Sequence, residues 1–176
     1  AGGRVLASEV RKVRGLKEFV NSGKPVLGIC NGFQVLVKSG ILPGAVGDAQ
    51  TASLSNNAGG RFECSWTRVK VEGKSFFTKG LPDVVEMPVA HGEGRFVAPE
   101  KVLDAVEPQV VFRYVDNPSG SMRGIAGIVN RKGDVLGLMP HPERSLTPWH
   151  HPFKRKRADK ELGLQVIRNT LDHVKG

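Results

Sequence analysis

Acidic residues are in deficit. Asp and Glu number 17 against 26 Lys and Arg, leaving a formal charge of +9 at pH 7. Such a balance is compatible with a polyanion partner, but the basic residues are scattered along the chain. Their one dense cluster, Lys154-Arg155-Lys156-Arg157, is short. Zinc-finger spacing, an aromatic-rich binding signature and a helix-turn-helix pattern are all lacking. The excess charge therefore reads as a solvated face or a docking surface for an acidic partner, and nucleic acid is not expected as a partner. Cysteine is scarce: Cys30 and Cys64 form no metal-ligand pattern, and no metal site is expected. No run of 18 apolar residues and no charged-then-apolar leader is present, so neither a membrane span nor a signal peptide is expected. A nucleophile-like cysteine points to a reducing, cytoplasmic setting. The G-x-x-x-x-G-K-[ST] phosphate loop is missing, as are internal repeats and low-complexity tracts. What remains is an ordinary globular composition, 39% hydrophobic and 24% charged. Its 176 residues fit one domain, 1–176, able to bury about 70% of its unfolded surface.

One stretch organises the chain: Lys24-Pro25-Val26-Leu27-Gly28-Ile29-Cys30-Asn31-Gly32-Phe33-Gln34. Val26, Leu27 and Ile29 form an apolar run of strand length behind Pro25, and a helix is expected to follow. Gly28 and Gly32 bracket Cys30 at G-x-C-x-G spacing, the nucleophile-elbow pattern with cysteine for serine. The turn pushes the thiol out of the sheet, and the glycines remove Cβ atoms that would clash. The helix N-terminus should favour a thiolate. The competing reading is a buried structural cysteine. This stretch alone does not decide between them.

A second stretch does. Val135 to Met139 is an apolar strand ending in Pro140-His141-Pro142-Glu143-Arg144. A cysteine nucleophile needs a base, and the base needs an orienting partner. In an extended segment, residues two apart point to one side, so His141 and Glu143 are expected to act together. His91 is a weaker candidate for the base, because no carboxylate is held two residues away on a stiff strand.

With both stretches in view, the chain resembles the class I (triad) glutamine amidotransferases, and among them the glutaminase subunits of purine biosynthesis. Gly28-Ile-Cys-Asn-Gly-Phe-Gln34 and Pro140-His-Pro-Glu-Arg144 carry the resemblance. Leu54 to Trp66, Pro88 to Phe96 and Ile125 to Ile128 extend it in the same order. The resemblance implies an α/β, flavodoxin-like domain, with a mostly parallel sheet and an antiparallel extension. It implies hydrolysis of glutamine to glutamate and ammonia by Cys30, His141 and Glu143, with the Asn31 N–H as oxyanion donor. Gln34, Asn57, Arg61 and Phe62 become candidate substrate contacts. The ammonia would pass to a synthetase subunit that uses ATP and Mg, with a small accessory subunit as a further partner. No cofactor is expected in this chain. Family members carry strands and a glycine-rich oxyanion loop ahead of the first helix seen here. About fifty residues are thus expected upstream of Ala1, and the chain reads as N-terminally truncated. Two other classes remain open: another cysteine hydrolase on the same fold, such as a small peptidase or deglycase-like protein, and a non-catalytic binding module.

The remaining pattern gives further expectations. A helix is expected over Gly2–Ser22, with Val5, Leu6, Val10, Val13, Leu16, Phe19 and Val20 at helical spacing and Gly23 as its stop. Asp48 to Ala58 reads as a loop. A strand follows, with Phe62, Cys64, Trp66, Val69 and Val71 inward and a bulge between Trp66 and Val69; Cys64 is accordingly expected to be buried. Strands are expected at Val84–Val89, Val110–Val115, Gly124–Val129 and Val135–Met139, the last two joined by a turn at Asn130–Asp134. A final helix over Asp159–Val174 should line one face with Leu162, Val166, Ile167, Leu171 and Val174.

Overall fold

The structure, a computed structural model, describes residues 14–45, 47–152 and 162–175. The start of the expected first helix, the basic cluster at Lys154–Arg157, and Asp159 and Glu161 lie outside the described residues. Four helices, α1 (Arg14–Asn21), α2 (Asn31–Lys38), α3 (Glu100–Val106) and α4 (Leu162–Lys175), accompany eight strands among the described residues. The strands are β1 (Val26–Ile29), β2 (Ser53–Ser55), β3 (Glu63–Val71), β4 (Val84–His91), β5 (Arg95–Val97), β6 (Val110–Tyr114), β7 (Ile125–Val129) and β8 (Val135–Leu138). Six form one sheet in the order β1-β8-β7-β6-β3-β4, and β2 pairs with β5 separately.

The α/β class holds, with a mixed sheet. The expected balance of pairings does not: among the described strands only β1 and β8 run parallel, Val26 opposite Val135 through Ile29 opposite Leu138. The other pairings in that sheet are antiparallel. Residues 130–134 join β7 to β8 as a hairpin, as the turn signal predicts. Asn130 Oδ1 accepts from the N–H groups of Asp134 and Val135. Every residue of β7 and β8 is buried, which is why both read as unbroken apolar runs. Strand β1 lies at the edge of the described sheet, and only Gly28 in it is fully buried.

Helix α2 crosses β1 and β8 where glycines face each other, Gly28 opposite Gly137. A Cβ on Gly28 would come 2.5 Å from Leu36 Cδ1, and one on Gly137 would come 2.1 Å from Phe33 Cδ2. The two side chains occupy the space the glycines leave, and Phe33 is fully buried. Phe33 also stacks on Phe96 of β5, with ring centroids 6.2 Å apart, tying the small sheet to the helix. Each such buried side chain contributes about 1.5–3 kcal/mol of transfer free energy.

Several local expectations change. Residues 53–55 form a strand rather than loop, since Leu54 is buried against the pairing with Phe96 while its serine neighbours hide the pattern. In β3 the inward residues are Thr67 and Val69; Phe62 and Cys64 are exposed and Trp66 is half-buried. Trp66 is covered from outside by the His151 ring, 4.4 Å away. Pairing of β3 with β4 runs without a shift from Glu63 opposite His91 to Lys70 opposite Val84, so no bulge lies there; the irregularity is between β6 and β7. Phe19 is 44% exposed, with the Lys24 ammonium over its ring, whereas Val20 is buried. In α4 the buried line is Gly163, Val166 and Asn169, and Leu171 and Val174 are exposed. A polar residue anchors that helix: Asn169 Nδ2 donates to the carbonyls of Phe77 and Lys79 at 3.0 and 2.8 Å.

The glycine contact yields a test. Gly137→Ala should destabilise the protein by about 1–3 kcal/mol through overpacking, read from urea unfolding. Phe33→Leu in that background should recover part of the loss, because the two changes share one volume.

Candidate active site

Cys30 sits between β1 and α2 at φ 50, ψ −102, a left-handed conformation rare for a residue with a side chain. Three contacts hold the strain. Its N–H donates to the Leu138 carbonyl at 2.8 Å, the Gln34 N–H donates to its carbonyl at 3.1 Å, and α2 is pinned over the glycine pair. Of the two bracketing glycines, Gly28 is required by space, lying 2.9 Å from the Gly32 backbone by its would-be Cβ. Gly32 faces open room, contrary to the expectation that both avoid clashes.

The thiol points across to β4, where Sγ donates to the Ala90 carbonyl at 3.9 Å. Burial pushes the Cys30 pKa up. The Asn31 N–H and the Arg144 guanidinium pull against this, and Glu143 adds to the rise. The net direction is upward, against the expectation that the helix N-terminus favours a thiolate.

His141 is buried and fixed to β4 through its N–H, which donates to the Pro88 carbonyl at 2.8 Å. Residues 142–144 form a 3-10 turn, so Glu143 reaches His141 by curling back rather than along an extended strand. His141 Nδ1 lies 2.5 Å from Glu143 Oε1. A carboxylate only accepts, so Nδ1 carries a proton, and in the neutral ring Nε2 is the nitrogen with the lone pair. That Nε2 is buried and without a hydrogen-bond partner. Arg144 Nε stands 3.7 Å from the same Glu143 oxygen. Helix α4 supports the turn from behind: a Cβ on Gly163 would meet the Pro142 carbonyl at 2.0 Å. Nothing in the sequence marked Gly163 beyond its being a glycine near a helix start.

The expected substrate contacts converge on the segment between β4 and β5. Gln34 Nε2 donates to the Glu93 carbonyl at 2.7 Å. Asn57 is buried and its amide is fully used: Nδ2 donates to the carbonyls of Arg61 and His91, and Oδ1 accepts from the Gly94 N–H. Asn57 is therefore a holder of this segment, not a free contact for a ligand. Phe62 is 64% exposed and lies against Gly92, and Arg61 is exposed beside Glu63, at 3.6 Å. The backbone carbonyls of Ala90 and Glu93 were not legible in the sequence, because only the folded register brings them to Cys30 and Gln34. Among the described residues no group of His, Cys, Asp and Glu has the arrangement of a metal site, and no helix is long and apolar enough to cross a membrane.

A family model described as CobB/CobQ-like glutamine amidotransferase domain matches residues 2–174. The chain belongs to that family. The expected class I glutamine amidotransferase is borne out by its relatives. The phosphoribosylformylglycinamidine synthase subunit PurQ of Dehalococcoides mccartyi is 42% identical over 184 residues, covering 96% of this chain and 72% of the relative. The subunit of the same name from Methanococcus maripaludis is 40% identical, covering 90% and 68%. A solved structure described as PurLQS from Thermotoga maritima superposes with a TM-score of 0.70 at 34% identity, covering 96% of this chain and 68% of that one.

The site sets two outcomes. Because burial raises the Cys30 pKa, its alkylation without substrate should climb only at pH values above those for a free thiol, while exposed Cys64 should alkylate readily. Mapping both by mass spectrometry across pH checks this. Gly163→Ala should lower activity by about tenfold or more with a modest loss of stability, because it displaces the turn carrying His141 and Glu143; ammonia release and a thermal melt read the two effects.

Proposed function

We propose that this chain is the glutaminase component of phosphoribosylformylglycinamidine synthase, hydrolysing glutamine to glutamate and ammonia. The observation that carries the reading is the arrangement of His141: Nδ1 is bound to Glu143, Nε2 is buried without a partner, and the strand whose Pro88 carbonyl holds His141 also meets Cys30 through its Ala90 carbonyl. Cys30 Sγ attacks the amide carbon of glutamine as its proton passes to His141 Nε2. The Asn31 N–H, at the start of α2, donates to the oxyanion; one such donor is typically worth about 3 kcal/mol of barrier. His141 returns the proton to the departing ammonia, leaving a γ-glutamyl thioester. Water, deprotonated by the same nitrogen, then releases glutamate. Glu143 holds the imidazole and steadies its cation. Gln34 and Asn57 shape the wall of the pocket, and Arg61 and Phe62, exposed at its edge, meet the substrate.

The ammonia passes to a synthetase subunit, which supplies the ATP and Mg chemistry, and a small accessory subunit completes the assembly. The name of the structural relative, PurLQS, supports this partnership. This chain itself needs no cofactor. The work belongs to purine biosynthesis in the cytoplasm.

The experiment is an ammonia assay with glutamine, in the presence of the synthetase subunit, set against hydrolysis of a peptide library. Ammonia release from glutamine that disappears in Cys30→Ala is the expected result. His141→Ala should lower the rate by several orders of magnitude and Glu143→Gln by less, and the double variant should be hardly worse than His141→Ala because the residues act as a unit. Peptide hydrolysis, or ammonia release unchanged in Cys30→Ala, would overturn the reading.

A further inference from the structure

His91 is a second buried histidine beside the site, and its environment fixes its chemical form. Its Nδ1 lies 3.1 Å from Asn57 Oδ1. The orientation of that amide is set independently, because Nδ2 donates to two carbonyls and Oδ1 accepts from the Gly94 N–H. Asn57 Oδ1 can only accept, so His91 Nδ1 carries the proton. The other nitrogen, Nε2, is buried and without a partner. The ring is pressed flat under the chain: a Cβ on Gly94 would come 2.4 Å from His91 Nδ1 and Cε1.

This ring is the pivot of the segment Ala90–Gly94. Immediately before it, the Ala90 carbonyl accepts from Cys30 Sγ; beyond it, the Glu93 carbonyl accepts from Gln34, one turn along the helix that Cys30 begins. Asn57 fastens the same segment at Gly92, where its N–H donates to the Gly92 carbonyl at 2.9 Å. We propose that His91 is a positioning residue of the glutaminase site. Held as a neutral imidazole with its proton on Nδ1, it locks the Ala90–Gly94 segment against Cys30 and Gln34 while keeping positive charge away from His141.

The groups around the ring agree with that form. His141, on the turn, and Glu63, opposite on β3, are the ionisable groups that face it, with Cys30 beyond the Ala90 carbonyl. Burial lowers its pKa below the ordinary histidine value; a hydrogen bond to its own backbone opposes this, His141 lowers it further, and Glu63 acts in the other direction. A cation here would oppose the imidazolium that His141 forms during turnover.

The inference rests on the function proposed above. Two measurements test it, and the first is independent of that function. Nitrogen-15 NMR of the imidazoles should find His91 with its proton on Nδ1, titrating below the ordinary histidine value. A proton on Nε2, or titration at or above that value, would overturn the proposal. The second compares His91→Asn, whose amide nitrogen reaches the place of Nδ1 and cannot become a cation, with His91→Gln, whose amide reaches the place of Nε2. With both variants folded by thermal melt and assayed with the synthetase subunit, His91→Asn should keep kcat within about tenfold of the parent, and His91→Gln should lose about a hundredfold. Equal losses in the two variants, or no loss in either, would overturn the positioning role. If the parent chain releases no ammonia from glutamine, the proposed function fails, while the NMR result still judges the tautomer.

Discussion

The close contact between helix α2 and the sheet is the constraint on which the rest depends. Two glycines in register, Gly28 and Gly137, let Leu36 and Phe33 descend to the sheet backbone. With the helix that low, the link from β1 to α2 has a single residue in which to reverse, and Cys30 takes a left-handed conformation to do it. The strain is held by packing around it, since a side-chain-bearing residue adopts this conformation only where its surroundings over-determine it. Its consequence is a thiol lifted out of the sheet, with a helix N–H at hand and a β4 carbonyl opposite.

The second half of the site comes from a different part of the chain and is positioned by the same sheet. Strand β8 pairs with β1, so the turn that follows β8 emerges beside the elbow that follows β1. Strand β4 then fastens both, through the Pro88 carbonyl to His141 and the Ala90 carbonyl to Cys30. Burial makes the thiol reluctant to ionise and leaves Nε2 of His141 without a partner. These are two sides of one arrangement: the proposed base is left without a partner, and the proposed nucleophile is pushed toward its protonated form.

Much of this was legible in the sequence where chemistry and geometry share a short range. The elbow at Cys30, the His141–Glu143 pair and the apolar strands at 110–114, 125–129 and 135–138 are local signals found where expected, although the pair forms through a 3-10 turn and Gly32 is not needed for space. The errors arise where burial is decided at long range. Phe62, Cys64 and Trp66 look like an inward row, yet the inward row of β3 is Thr67 and Val69, because the register with β4 sets which face meets the core. Leu171 and Val174 look like a buried helix face, yet Asn169 does the anchoring through two backbone carbonyls that no local pattern announces. Asn57 and Gln34 are candidate substrate contacts by family resemblance, and nothing local in the sequence shows what they bond to. Folded, both hydrogen-bond to the backbone at residues 91–94.

The central claim is that the strained elbow at Cys30 carries the covalent step, with His141 as its base. The most direct measurement is acid quenching of the enzyme during turnover of glutamine with the synthetase subunit, followed by peptide mapping for a γ-glutamyl thioester. The account predicts the adduct on Cys30, none on Cys64, and its disappearance in His141→Ala. An adduct on Cys64, or steady ammonia release with no cysteine adduct under any quench, would contradict it.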